Sequence, residues 1–116
     1  MITIYHNPRC TKSREGLCEI ENLNKPFIIR KYLDEPFTKE ELKKVIKNLA
    51  IKPLALVRTK ETIWIENYKG KQLTDEEIID ALLSHPKLIE RPIVVIGNRA
   101  IIARPKEKIN ELLQHI

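Results

Sequence analysis

Apolar positions along this chain recur with two periods, and the period changes from segment to segment. Ile2-Thr3-Ile4-Tyr5 is short and β-branched, so a strand is predicted. His6-Asn7-Pro8-Arg9-Cys10 breaks the pattern and reads as a loop, punctuated by Asn-Pro. From about Thr11 to Asn22 the period becomes helical, with Leu17, Ile20 and Leu23 on one side and Gly16 among them for close packing. Pro26 to Tyr32 is the next predicted strand. Strand, helix and strand in that order make a βαβ unit, with parallel strands and a right-handed crossover.

The middle of the chain is helical in pattern. Thr38-Lys39-Glu40-Glu41 has the form of a capping box, and Leu42, Val45, Ile46 and Leu49 follow at helical spacing. Pro53 interrupts that stripe, and a short helical turn through Leu54–Val57 is expected. Thr74-Asp75-Glu76-Glu77 is a second capping box, opening a helix with Ile78, Ala81 and Leu82 that ends near His85-Pro86. Trp64 and Tyr68, four residues apart, read as packing within this region.

Two β-rich runs, Pro92–Ile96 and Arg99–Ala103, then flank Gly97-Asn98, a strong hairpin signal. Pro105 suits the first position of a last helix, with Ile109, Leu112, Leu113 and Ile116 on one face. A parallel pair followed by a hairpin builds a four-stranded mixed sheet with helices against it. The expected fold is α/β and thioredoxin-like: β-α-β, a helical insertion over about 38–90, then β-β-α, within one domain spanning 1–116.

Composition narrows the function. A chain of 116 residues is one domain's worth. With 42% hydrophobic and 32% charged residues it is globular rather than disordered. It shows no secretory pattern and no apolar run long enough to span a bilayer, so a cytoplasmic protein without membrane association is expected. Two cysteines are too few for a disulfide scaffold. The net charge of +5 permits nucleic acid, an anionic surface or a small oxyanion as partner. Lys39, Lys43, Lys44 and Lys47 read as a solvated helix face, and neither a helix-turn-helix nor an aromatic-interleaved basic patch points to nucleic acid. His6, His85 and His115 fall in no ligand spacing, so no metal is expected.

Cys10 stands where the first loop ends and the first helix begins. Unpaired N–H groups and the positive end of the helix dipole would stabilise a thiolate there. Arg9, Lys12 and Arg14 add positive charge, and His6 would add more if protonated. The residues alone leave two readings open, an activated nucleophile or an inert half-buried cysteine. Cys18 falls opposite the apolar face of the same helix. Eight helical residues separate the two sulfurs by about 12 Å of axis, whereas a disulfide needs Cα atoms within about 7 Å. Ser13 occupies the place where Cys-x-x-Cys would put a second thiol. A thiol enzyme built this way needs an external thiol to complete its cycle.

Tyr5-His6-Asn7-Pro8-Arg9-Cys10-Thr11-Lys12-Ser13-Arg14 resembles the Asn-Pro-x-Cys-x-x-Ser-Arg signature of the glutathione/glutaredoxin-dependent arsenate reductase family. Leu56-Val57-Arg58, His85 to Val95, and Ala103-Arg104-Pro105 resemble, in order, the segments carrying that family's three anion-binding arginines. The resemblance implies that Cys10 is the nucleophile, that Arg58, Arg91 and Arg104 bind the oxyanion, and that Arg91-Pro92 is a cis peptide facing the cysteine. It further implies that His6 helps the thiolate form and that Ser13 and Arg14 bond the cysteine or fix its loop. The implied substrate is arsenate or a similar oxyanion. Glutathione is the implied co-substrate and glutaredoxin the partner, with no bound cofactor and a monomeric chain. Physical chemistry agrees with the arginines, whose planar forks suit tetrahedral oxyanions; Arg104 is also expected at a helix start, where anions are favoured. Two alternatives remain at this level. One is a glutathione-dependent thiol oxidoreductase that does not use arsenate. The other is a redox-responsive transcription regulator binding RNA polymerase, against which Ser13 in place of a second cysteine argues.

Overall fold

The computed structural model describes residues 1–114, without the side chain of Gln114. The chain forms two units, one of residues 1–35 with the segment from Arg91 onward, the other of Pro36–Glu90.

In the first unit β1 (Ile2–Tyr5) leads through the Cys10 loop into α1 (Thr11–Glu21), and β2 (Phe27–Arg30) follows. β3 (Ile93–Ile96) and β4 (Arg99–Ile102) form the hairpin, and α5 (Lys108–Gln114) closes the unit. The strand order is β2-β1-β3-β4, with β1 parallel to β2 and antiparallel to β3, and β4 antiparallel to β3. This is the mixed sheet that the hydrophobic pattern predicts. Gly97 turns the hairpin at φ +59, a backbone angle that glycine adopts without steric cost. Alternation along β1 puts Ile2 and Ile4 into one cluster with Ile20 of α1, Val94 of β3, Ala103, and Ile109 and Leu112 of α5. Each fully buried aliphatic side chain there contributes on the order of 1.5–3 kcal/mol.

α1 approaches the start of β3 closely. A Cβ placed on Gly16 would lie 2.7 Å from Cγ of Pro92, well inside van der Waals contact. Gly16 therefore lets the helix rest directly on the proline that follows Arg91.

The second unit holds α2 (Lys39–Leu49), α3 (Thr62–Asn67) and α4 (Asp75–Ser84), with 3₁₀ turns at Pro53–Leu56 and Pro86–Leu88. Both capping boxes are present: Thr38 accepts from the Glu41 N–H and Thr74 from the Glu77 N–H, with each glutamate bonding back to the threonine N–H. α2 buries Leu42, Val45 and Ile46; α4 buries Ile78, Ile79, Ala81 and Leu82. Lys39 and Lys43 of α2 pair with Glu76 of α4, and Lys39 also with Asp80. Trp64 and Tyr68 stack at 5.2 Å between ring centroids, and Tyr68 meets His85 edge-on, so this pair does serve packing.

α3 lies within the stretch expected to be helical, but its six residues bury only Trp64 and show no period that would mark its bounds. One expectation fails. Pro105 does not begin the last helix. The Arg104-Pro105 peptide is cis, and the Pro105 carbonyl accepts from the Lys108 N–H in a four-residue turn whose last residue opens α5. Arg104 consequently lies ahead of that turn and not at a helix start, which removes the helix-terminus argument for an anion there. Ile116 of the predicted apolar stripe lies outside the described residues, as does His115.

Candidate active site

Cys10 is the N-cap of α1, with extended backbone at φ −96 and ψ 125. Its own N–H donates to the Asn7 carbonyl at 3.0 Å, closing the loop in a tight turn. The Cys10 side chain makes no capping hydrogen bond; the Ser13 and Lys12 N–H groups at the helix end and the Arg91 guanidinium act on the sulfur electrostatically. Burial pushes the thiol up. The Ser13 N–H, the Arg91 hydrogen bond, the Arg91 charge and the Lys12 N–H together outweigh it and hold Cys10 below its ordinary value. An orphan-amide helix end and one guanidinium thus do the work of a general base.

Ser13 is fully buried. Its Oγ accepts from the Asn7 N–H at 2.9 Å and lies 2.6 Å from His6 Nδ1. The resemblance offers two roles for this serine, bonding the cysteine or fixing the loop. Its hydroxyl does the second, while its backbone N–H at the helix end favours the thiolate. Arg14 donates to the Pro8 carbonyl at 3.0 Å and to Thr11 Oγ1 at 3.2 Å, so it ties the loop.

His6 is 4% exposed. Burial first, then the charges of Lys31 and Arg14, hold it below its ordinary value, against a smaller opposing pull from Ser13 and Glu21. His6, held below its ordinary value, is neutral near pH 7, so the condition for it to add positive charge is not met there. Its part is to fix Ser13. Asn7, read in the sequence as turn punctuation, is buried and holds three bonds: its N–H to Ser13, its carbonyl to Cys10, its Oδ1 from the Arg9 N–H. The tendency of asparagine to bond its own neighbouring backbone was the signal for this.

Arg91 precedes Pro92 through a cis peptide, as the resemblance implies. Its Nε and Nη1 are buried and have no hydrogen-bond partner among the described residues. Unpaired buried donors cost about 1–3 kcal/mol each, more when charged. An oxyanion is the chemical complement of such donors. Arg104 is half-buried in the same unit, its N–H donating to the Ile102 carbonyl. Arg58 belongs to the second unit. The bridge between Val57 and Ile89 sets it opposite Glu90, and its guanidinium holds Glu61 at 2.8 Å and Glu90 at 3.6 Å. Cys18 is exposed and, like Cys10, a free thiol. Among the described residues no group of three or more His, Cys, Asp or Glu side chains could hold a metal, and no helix is long and apolar enough to cross a membrane.

The ArsC family model matches residues 5–112. The chain belongs to the ArsC family. Its relatives in that family include the arsenate reductase of Haemophilus influenzae, 40% identical over 97% of this chain and 98% of the relative. The arsenate reductase of Escherichia coli K12 is 41% identical over 97% of this chain and 80% of the relative. The solved arsenate reductase from Vibrio cholerae superposes with a TM-score of 0.90 at 42% identity, covering 95% of each chain. As an ArsC-family chain with this thioredoxin-like sheet, the protein is an oxidoreductase of the kind the sequence anticipates.

Proposed function

We propose that this chain reduces arsenate to arsenite through Cys10, using glutathione and glutaredoxin as the source of electrons. The observation that carries the reading is the pair of buried, unpartnered nitrogens of Arg91, the side chain whose guanidinium favours the Cys10 thiolate. That arrangement suits a nucleophile whose target is an anion. Its donors bind the oxygens while the sulfur attacks the central atom.

The steps balance as follows. The Cys10 thiolate attacks arsenic and a water leaves, giving a sulfur-bound arsenate ester. Glutathione displaces a second water and adds its own sulfur to the arsenic. A glutaredoxin thiolate then attacks the glutathione sulfur. The mixed disulfide forms, and the electron pair of the arsenic–glutathione bond stays on arsenic, which falls from the +5 to the +3 state. Water releases arsenite and returns the Cys10 thiol.

Cys18 has no part in this cycle, since the external thiols supply both electrons. In this reading His6, Ser13 and Arg14 hold the loop that presents Cys10. Pro92 sets the position of Arg91. Arg58, which binds Glu61 and Glu90 in this structure, and Arg104 are assigned to the oxyanion on the resemblance alone. The enzyme works as a monomer in the cytoplasm, as one domain whose segment of about 38–90 is an insertion, and without a bound cofactor.

A coupled assay with arsenate, glutathione and glutaredoxin tests the reading. The wild-type chain and Cys18→Ser should turn over, and Cys10→Ser should not. Turnover with glutathionylated thiols but none with arsenate would replace the proposal with a thiol oxidoreductase that does not use arsenate.

A further inference from the structure

Beside the Cys10 loop lies a cleft of about 220 Å³ lined by Asn7, Pro8, Arg9, Lys31, Leu33 and Asp34. It is separate from the thiolate's own contacts, which come from Lys12, Ser13 and Arg91. From this cleft we infer the seat of the thiol co-substrate: it binds the charged ends of glutathione and delivers the glutathione sulfur to Cys10. This rests on the reading of the chain as a glutathione-using reductase.

Charge is the first argument. Glutathione carries two carboxylates and one ammonium at neutral pH. The cleft carries two cations, Arg9 and Lys31, and one carboxylate, Asp34, the complement of that set. None of the three takes part in a salt bridge among the described residues. Lys31 and Asp34 are brought together by a turn in which the Asp34 N–H donates to the Lys31 carbonyl at 3.0 Å. A cation and an anion side by side suit the γ-glutamyl end, where carboxylate and ammonium share one carbon. The Arg9 fork suits the lone glycine carboxylate.

Reach is the second argument. Arg9 is the residue before Cys10, and its N–H is pinned to Asn7 Oδ1 at 3.0 Å. In glutathione the thiol-bearing residue is likewise the neighbour of the glycine carboxylate. A carboxylate held in a cleft lined by residues 7–9 is bound to the same loop that presents Cys10, and the peptide's thiol lies one residue from it. Size is the third. At about 220 Å³ the cleft is smaller than the about 300–1,000 Å³ of pockets that enclose a ligand, so it seats the charged ends of a peptide that stays partly in solvent. It is larger than a bare oxyanion needs, and Leu33 supplies an apolar wall that an oxyanion would not use.

The test has a binding arm and a kinetic arm. S-methylglutathione cannot react, so its amide chemical-shift changes report binding alone; they should centre on residues 7–9 and 31–34. In the coupled assay Arg9→Ala and Lys31→Ala should each raise the KM for glutathione about tenfold, the loss expected for a charge-assisted contact, while the KM for arsenate stays within about twofold. Glutathione ethyl ester, which masks the glycine carboxylate, should be a poorer co-substrate for the wild type and no poorer than glutathione for Arg9→Ala. An unchanged KM for glutathione in both variants, with the wild type active, would overturn the assignment, as would shift changes confined to other residues. A wild-type chain inactive with arsenate whose cleft still responds to S-methylglutathione would sink the arsenate reading and leave the cleft assignment standing.

Discussion

Ser13→Ala separates the two functions that the structure gives to one residue. The substitution removes the hydroxyl and leaves the backbone N–H. The groups that favour the Cys10 thiolate, the Ser13 and Lys12 N–H groups and Arg91, therefore stay in place. Two other groups lose their partner: the Asn7 N–H, at 2.9 Å from the hydroxyl, and His6 Nδ1, at 2.6 Å. Ser13 is fully buried and His6 and Asn7 nearly so, so solvent does not simply replace the bond. An unsatisfied buried polar group costs about 1–3 kcal/mol, and two of them place the loss at roughly 2–4 kcal/mol if a water partly fills the vacated space. For a domain of this size that lowers the unfolding midpoint by roughly 10–15 °C, at about 4 °C per kcal/mol. Thermal unfolding followed by circular dichroism measures the loss, and alkylation of Cys10 against pH measures the thiol. The expected result is a large fall in midpoint with the Cys10 thiol still below its ordinary value. A midpoint within about 3 °C of wild type, at the slope used above, would refute the buried network. A normal midpoint with an ordinary thiol would show the hydroxyl, not the amide, to be the thiolate's donor.

Three other perturbations follow from the same geometry. Gly16→Ala drives a Cβ to 2.7 Å from Pro92; overpacking of about 1–3 kcal/mol should outweigh a helix-propensity gain of about 1 kcal/mol, lowering the denaturant midpoint and, by moving Pro92, raising the KM for arsenate. Arg91→Ala removes both the hydrogen bond and the charge at the sulfur, so the Cys10 thiol should titrate higher and kcat/KM for arsenate should fall about 10–150-fold, the equivalent of one charged hydrogen bond; Arg91→Lys should restore the thiol in part without the fork. His6, held below its ordinary value by burial and by Lys31 and Arg14, binds a proton more readily in the unfolded chain. Stability should be full above pH of about 6.5 and fall as pH drops toward the lowered folded value, and a pH series of urea midpoints should lose that step in His6→Asn.

Much of the fold was legible because its determinants are local. Thr38 with Glu41 and Thr74 with Glu77 are three residues apart, and each pair closes the box its spacing foretells. Gly97-Asn98 turns a hairpin for reasons contained in two residues, and Gly16 marks a close helix contact that turns out to be Pro92. The Cys10 helix end was legible for the same reason. What was hidden depends on residues far apart in the chain. Lys31, just after β2, helps keep His6 neutral, and no pattern around His6 announces it. Arg91 reaches Cys10 from 81 positions later; by itself it looks like any surface arginine, and only the family likeness joined it to the thiol. Pro105 obeys a rule for helix starts that its cis peptide and the following turn set aside.

The most direct test of the central claim is the alkylation rate of each cysteine, resolved by peptide mass spectrometry with and without arsenate and in the absence of glutathione. The two thiols serve as mutual controls, since both are free and they differ in surroundings. The account predicts that Cys10 reacts with a pH midpoint below the ordinary thiol value, and that arsenate slows Cys10 while leaving the alkylation rate of Cys18 unchanged. An ordinary midpoint for Cys10, with no protection of it by arsenate, would contradict it.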